Sequence, residues 1–194
     1  MLASTRGTDL QAIIDEIKKG ALKVELACVI SNKEYCYALE RARTQGFKTY
    51  FVNPRQTDGS KKDTAEFDAE MLEILESHAV DLVVLVGFMR ILGSSFIQRF
   101  KNRIINVHPA LIPKFCGKEF FGNNVHQAVL DAKEKETGMT IHFVEDGVDT
   151  GKIILQKKIA VTPTDTVETL KEKVQALEKE WYPKVIGWIR DNLY

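Results

Sequence analysis

The chain has 194 residues, 27 basic and 27 acidic, so its formal net charge at pH 7 is zero; 44% of residues are hydrophobic and 28% charged. This is the composition of a globular protein with a real core. The balanced charge gives no general attraction to nucleic acid or an anionic membrane, though it leaves room for a local basic pocket. No apolar run approaches a membrane span, and the opening Met1-Leu2-Ala3-Ser4-Thr5-Arg6 has no secretory pattern. Cys28, Cys36 and Cys116 are odd in number and far apart, which predicts reduced thiols in a cytoplasmic protein.

In chain order, residues 9–19 predict a helix: Leu10, Ile13, Ile14 and Ile17 share one face and Gly20 supplies a stop. A strand is predicted over 24–30, a helix over 35–45, a short strand over 48–52, and a mobile polar loop over 53–62, where Pro54 and Gly59 lie. Residues 63–77 read as a helix. The nearly unbroken apolar run 81–87 reads as a strand covered on both faces. A short helix over 95–100 and an apolar strand over 103–107 follow. Beyond these lie a helix over 125–133, two strands over 139–145 and 152–161 expected to be antiparallel, and a long amphipathic helix from about 166 to the end. Strands alternating with helices predict a Rossmann-like α/β fold. Its sheet would be mainly parallel with helices on both faces, and an antiparallel pair and a long helix would close the C-terminal end. Only Met1-Leu2-Ala3 precede the first turn, so either the first strand is very short or the true start of the chain lies upstream. One domain over residues 1–194 is expected, with lobes at about 1–100 and 101–194.

The carboxyl ends of parallel strands form the usual ligand crevice. That puts Gly87-Phe-Met-Arg-Ile-Leu92 and Asn106-Val-His-Pro109 on one functional edge. Asn106 and His108 are two residues apart in a strand, so their side chains share a face. An amide donor beside an imidazole suits a carbonyl that gains negative charge while a proton moves. Pro109 and Pro113 are expected to brace the loop that follows. A carboxylate behind the imidazole would support its charge. The turn Glu145-Asp-Gly-Val-Asp149 offers Asp146 or Asp149, and spacing alone does not choose between them. The turn Ser4-Thr-Arg-Gly-Thr-Asp9 lacks the G-x-G-x-x-G dinucleotide pattern. Its amides could still hold one phosphate at a helix start, with help from Arg6. Cys116, in the loop after His108, is a further candidate nucleophile.

The segments "GTDLQAII", "VLVGFMRIL", "IINVHPALIPKF", "VHQAV", "ETGMTIHFVEDGVDTGKIILQ" and "VQALEKEWYP" resemble, in order and over nearly the whole chain, the phosphoribosylglycinamide formyltransferase family of de novo purine synthesis. The resemblance implies the formyltransferase fold and transfer of a formyl group from 10-formyltetrahydrofolate to the amine of 5-phosphoribosylglycinamide. It implies no metal, and small-molecule substrates rather than nucleic acid or membrane. It leaves monomer or homodimer open. It implies Asn106, His108 and Asp149 as the catalytic set, with Thr140 and His142 in support. Gly7, Thr8 and Asp9 would hold the substrate phosphate, and Gln175 and Glu178 would lie near the ribose and glycinamide. Met89, Arg90, Ile91, Leu92, Asn106, Glu145, Asp146, Gly147, Val148 and Asp149 would surround the folate pterin.

Two positions depart from the family pattern. Asp9 stands where the family usually has Asn, and a carboxylate beside a phosphate is repulsive unless it turns away. Thr64 stands where the family has an arginine toward the folate tail, and Lys61 or Lys62 could replace it. The competing readings are a formyltetrahydrofolate hydrolase, a formyltransferase for a sugar nucleotide or methionyl-tRNA, and a catalytically dead α/β binding protein. The extra domain expected of the hydrolase or the tRNA enzyme does not fit in 194 residues.

Overall fold

The computed structural model describes residues 1–193. Its elements follow in the order β1 (Leu2–Ala3), α1 (Thr8–Lys18), β2 (Val29–Ser31), α2 (Tyr37–Thr44), β3 (Thr49–Phe51), α3 (Thr64–Ser77), β4 (Val83–Val86), α4 (Ser94–Arg99), β5 (Ile104–His108), α5 (Asn123–Asp131), β6 (Glu136–Phe143), β7 (Ile153–Ala160) and α6 (Val167–Leu193). The expected final helix thus runs through 193, and residue 194 lies outside the described part. Among the described residues no helix is long and apolar enough to cross a membrane.

One seven-stranded sheet has the order β3-β2-β1-β4-β5-β6-β7. The first five strands are parallel and the last two antiparallel. Side chains alternate across it. Val84, Val86, Ile105 and Val107 join a core with Ile13 and Ile14 of α1, Leu39 of α2 and Val174 and Ile186 of α6. Val83, Leu85 and Ile104 join a second core with Phe67 and Met71 of α3 and Phe96 of α4. Period-two alternation in strands covered on both faces thus produces the helix–sheet–helix layering.

The strand predicted over 24–30 shrinks to Val29–Ser31. Its neighbour β1 is two residues long and pairs with β2 at Leu2 and Ile30. Residues 24–28 therefore lie beyond the reach of a partner ladder; the buried Met1 ammonium donates to the Cys28 carbonyl at 2.7 Å where pairing stops. Residues 53–62 form a loop. It closes on itself through an Arg55–Lys61 bridge, and Gln56 N–H donates to the Ser60 carbonyl at 2.8 Å. Helix α3 then starts on a reciprocal capping box between Asp63 and Glu66.

Candidate active site

Strand order reverses between β1 and β4, so the crevice opens outside their carboxyl ends. A cleft of about 720 Å³ lies there, a size suited to small-molecule ligands. Two glycine turns form its floor. Gly7 has φ +67°, and a Cβ on it would sit 2.9 Å from Cα and Cβ of Ala38, so no other residue lets α1 approach α2 this closely. Gly7 caps α1 without a side-chain bond, and Gln11 N–H makes the first helical bond, to the Gly7 carbonyl. The first-turn amides after Gly7 therefore have no intrahelical acceptor. Gly87 has φ +63°, and a Cβ there would lie 2.5 Å from Oγ1 of Thr5. Ser4 fastens the two turns together: its N–H donates to the Gly87 carbonyl at 3.2 Å and its Oγ accepts from Met89 N–H at 3.1 Å.

Beyond Gly87 the chain offers an apolar lip. Met89 and Ile91 are exposed while Leu92 is buried. Arg90 does not reach freely outward: its guanidinium donates to the Lys62 and Asp63 carbonyls and lies 4.1 Å over the Phe67 ring. The Lys62 ammonium pairs with Glu70 of α3, so its charge already has a partner.

On β5 and β6, Asn106 faces His142 and His108 faces Thr140 in register. His108 Nδ1 lies 3.5 Å from Asp149 Oδ2, and His142 Nε2 lies 3.6 Å from Asp149 Oδ1. Asp149 Oδ2 also accepts from Gly117 N–H at 3.0 Å. Asn106 Nδ2 approaches His142 Nε2 at 3.4 Å. A carbonyl only accepts, so His108 Nε2 carries the proton shared with the Phe115 carbonyl at 2.7 Å. By the same logic His142 Nδ1 donates to the Phe143 carbonyl at 2.8 Å.

Burial pulls the His108 pKa below the ordinary histidine value; Asp149 and the Phe115 carbonyl oppose that shift without reversing it, and His142 adds to it. The ring is therefore neutral near pH 7 and able to accept a proton. Burial also opposes charge on Asp149, but its approaches to His142 and His108 and the bond from Gly117 N–H outweigh it and hold the carboxyl below its usual range. Asp149 stays ionised behind two imidazoles. It does so at φ +58°, an uncommon backbone for a residue with a side chain. The turn is held by close approaches at its ends: a Cβ on Gly151 would sit 1.8 Å from the Phe143 carbonyl oxygen.

The geometry separates the two acids that spacing left open. Asp149 points into the cluster, whereas Asp146 accepts from Ser94 Oγ at 2.8 Å in an exposed position and does not line the cleft. Thr140, opposite His108, bonds to the loop backbone. Its hydroxyl donates to the Ala110 carbonyl at 2.7 Å and accepts from Ile112 N–H at 3.1 Å and Gln156 Nε2 at 3.0 Å. Gln156 further donates to the Ile112 carbonyl at 2.8 Å. Thr140 and Gln156 thus hold the backbone of the loop after His108, the same loop that contains Pro109 and Pro113. Cys116 donates to the Pro113 carbonyl at 3.3 Å, and burial followed by the Asp149 charge pushes its thiol up. That weakens it as a nucleophile.

A family model for formyl transferases matches residues 1–186. The chain belongs to the formyl transferase family. Among its relatives, the phosphoribosylglycinamide formyltransferase of Haemophilus influenzae is 39% identical over 201 residues, covering 100% of this chain and 90% of that one. The solved phosphoribosylglycinamide formyltransferase of Coxiella burnetii superposes with a TM-score of 0.86 at 38% identity, covering 97% of this chain and 84% of that one. A formyltetrahydrofolate deformylase from Pseudomonas syringae shares the fold, with a TM-score of 0.79 at 24% identity over 92% of this chain and 56% of that one.

In this formyl transferase the cleft is lined by Thr8, Asp9, Gln175 and Glu178 at one end, by Met89, Arg90, Ile91 and Leu92 along the lip, and by Asn106, His108, His142, Glu145, Gly147, Val148 and Asp149 at the other. Gly7 shapes the first turn from below. Two buried polar residues at or beneath the cleft carry no role in the sequence reading. His126 on α5 is buried with Nδ1 unpartnered, and its signal was a polar residue on a helix face shared with Val125 and Val129. Tyr182 lies just under the cleft, its buried hydroxyl within reach of the Leu85 and Ile105 carbonyls at 2.9 and 3.1 Å. It follows Glu178 by one helical turn on the buried stripe of α6.

Proposed function

We propose that the chain is a cytoplasmic phosphoribosylglycinamide formyltransferase. It would transfer the formyl group of 10-formyltetrahydrofolate to the amine of 5-phosphoribosylglycinamide in purine synthesis. The observation that carries this reading is the Asn106, His108 and Asp149 cluster beside an apolar lip and an uncapped helix start, in a chain 39% identical over its full length to an enzyme of that name.

The folate heterocycle would lie against the apolar lip from Met89 to Leu92 and the turn from Glu145 to Asp149. The phosphate would meet the first-turn amides of α1, where partial positive charge gathers. The substrate amine attacks the formyl carbon, the carbonyl oxygen gains negative charge, and the bond to the folate nitrogen then breaks. The amine gives up a proton and the folate nitrogen gains one. Asn106 has two amide hydrogens; one approaches His142 and the other remains for the developing oxyanion. Neutral His108, with its proton on Nε2, is set to give that proton to the substrate; it takes one back at Nε2 with the ring's other proton on Nδ1, where ionised Asp149 stabilises the imidazolium. Both nitrogens of His108 are engaged in the cluster, so a substrate atom must replace the Phe115 carbonyl to share the Nε2 proton.

The test is a spectrophotometric assay of tetrahydrofolate release with and without 5-phosphoribosylglycinamide. Release that depends on the ribonucleotide is expected. Release at the same rate without it would sink the proposal and favour a hydrolase.

A further inference from the structure

The functional reading leaves an anomaly at the phosphate end of the cleft. Asp9 is 9% exposed and Glu178 is 6% exposed, and both line the cleft. Oδ1 of Asp9 is buried with no hydrogen-bond partner. Two buried carboxyls that act on each other cannot both ionise cheaply. A phosphate brought to the amides beside Asp9 would add a third negative charge. The groups acting on or with Asp9 are Glu178, Lys179 and Tyr182 on α6; Arg6 in its own turn, Lys171 on α6, and Arg90, Lys118, His108, His126 and His142 line the same cleft. Arg6 and Lys179 are exposed, so water screens both cations. Neither can neutralise the buried pair.

We infer that Asp9 is a specificity-determining residue, one that takes up a proton as the phosphate end of the substrate binds, so that two neutral acids, Asp9 and Glu178, face the ligand. This rests on the functional reading above. Burial raises the Glu178 pKa well above the usual carboxylate value, and Asp9 strengthens that shift, so Glu178 is the member of the pair that favours its neutral form. Asp9 is the member that changes: burial raises its pKa to about 6, against the pull of Lys179. An asparagine would be the permanently neutral version of the same side chain. If only the neutral form accepts the phosphate, apparent affinity falls by the neutral fraction. At pH 8 that fraction is about one in a hundred for a group titrating near 6.

The experiment is calorimetric titration of 5-phosphoribosylglycinamide into the parent protein and Asp9→Asn, at pH 5.5 and 8.0, in two buffers of different ionisation enthalpy. The substrate's own titrations are common to both proteins and cancel in the comparison. The expected result at pH 8.0 is close to one extra proton taken up by the parent. Asp9→Asn should then bind about 100-fold more tightly, and the two should agree within about twofold at pH 5.5. Asp9→Ser, neutral and smaller, should lose the same proton uptake whatever its affinity. Equal proton uptake and equal Kd in parent and Asp9→Asn at pH 8.0 would overturn the inference. A ribonucleotide that binds with this linkage but is never formylated would refute the functional reading and leave the role of Asp9 standing. Formylation with identical linkage in both proteins would refute only the role of Asp9.

Discussion

Replacing Thr140 with valine tests how the loop after His108 is held. Valine keeps the shape and removes only the hydroxyl, which is fully buried and makes three hydrogen bonds, to Ala110, Ile112 and Gln156. Gln156 keeps its bond to the Ile112 carbonyl, so the substitution orphans the Ala110 carbonyl and the Ile112 N–H. Leaving a buried polar group unpaired costs about 1–3 kcal/mol, and a total near 2–3 kcal/mol is expected here. For a chain of this size each kcal/mol lowers Tm by about 2–4 °C, which gives a drop of about 5–10 °C. The same loop carries the Phe115 carbonyl to His108 Nε2, so kcat should fall about ten- to a hundredfold as the imidazole loses its position. The assays are thermal and urea unfolding beside steady-state kinetics, with Thr140→Ser as the control that restores the hydroxyl. A Thr140→Val protein within about 0.5 kcal/mol of the parent, the scale of a neutral surface change, would refute the claim that this hydroxyl holds the loop.

Three further outcomes follow from the same geometry. Asp149→Asn removes the charge behind His108 and His142 with little change of volume, and should lower kcat by about 10²–10⁴-fold; a kcat near the parent's would take Asp149 out of the mechanism. Gly151→Ala places a Cβ 1.8 Å from the Phe143 carbonyl oxygen, so the turn must shift. Urea unfolding should show a loss of about 1–3 kcal/mol, the usual scale of overpacking, and parental stability would contradict the close approach. His126 has its pKa lowered to about 4, first by burial and then by Lys171 and His108. Its folded value lies below its unfolded one, so the neutral ring's contribution is complete above about pH 6.5 and disappears as pH falls toward 4. His126→Gln should therefore lose less stability than the parent between pH 7 and 4.5, and parallel urea midpoints across that range would count against a buried neutral ring.

Much of this was legible in the chain itself. The apolar runs of β4 and β5 announced a covered sheet, and period two put Asn106 and His108 on one face at its carboxyl edge. Such signals are local, and local steric rules preserve them in the fold. What pattern reading could not supply depended on partners distant in sequence. Residues 24–28 have a strand-like composition, but strand pairing needs a neighbour, and β1 ends the ladder at Leu2. The choice of Asp149 over Asp146 rests on a positive φ and on contacts to β5 and β6, neither of which spacing encodes. Thr140 was singled out by resemblance, yet its hydroxyl serves the loop backbone, and its partner Gln156 gave no signal in an alternating strand. The anomaly at Asp9 was visible as a departure from a family pattern. Only the fold showed that its carboxyl is buried with Oδ1 unpartnered, in a cleft that Glu178 also lines.

The most direct test of the central claim follows the formyl carbon itself. 10-Formyltetrahydrofolate labelled in the formyl group is incubated with the protein and 5-phosphoribosylglycinamide, and the label is divided between ribonucleotide and free formate. Nearly all of it is predicted in the formylated ribonucleotide, with almost none released when the acceptor is left out. Label appearing chiefly as formate, with or without the acceptor, would contradict the assignment.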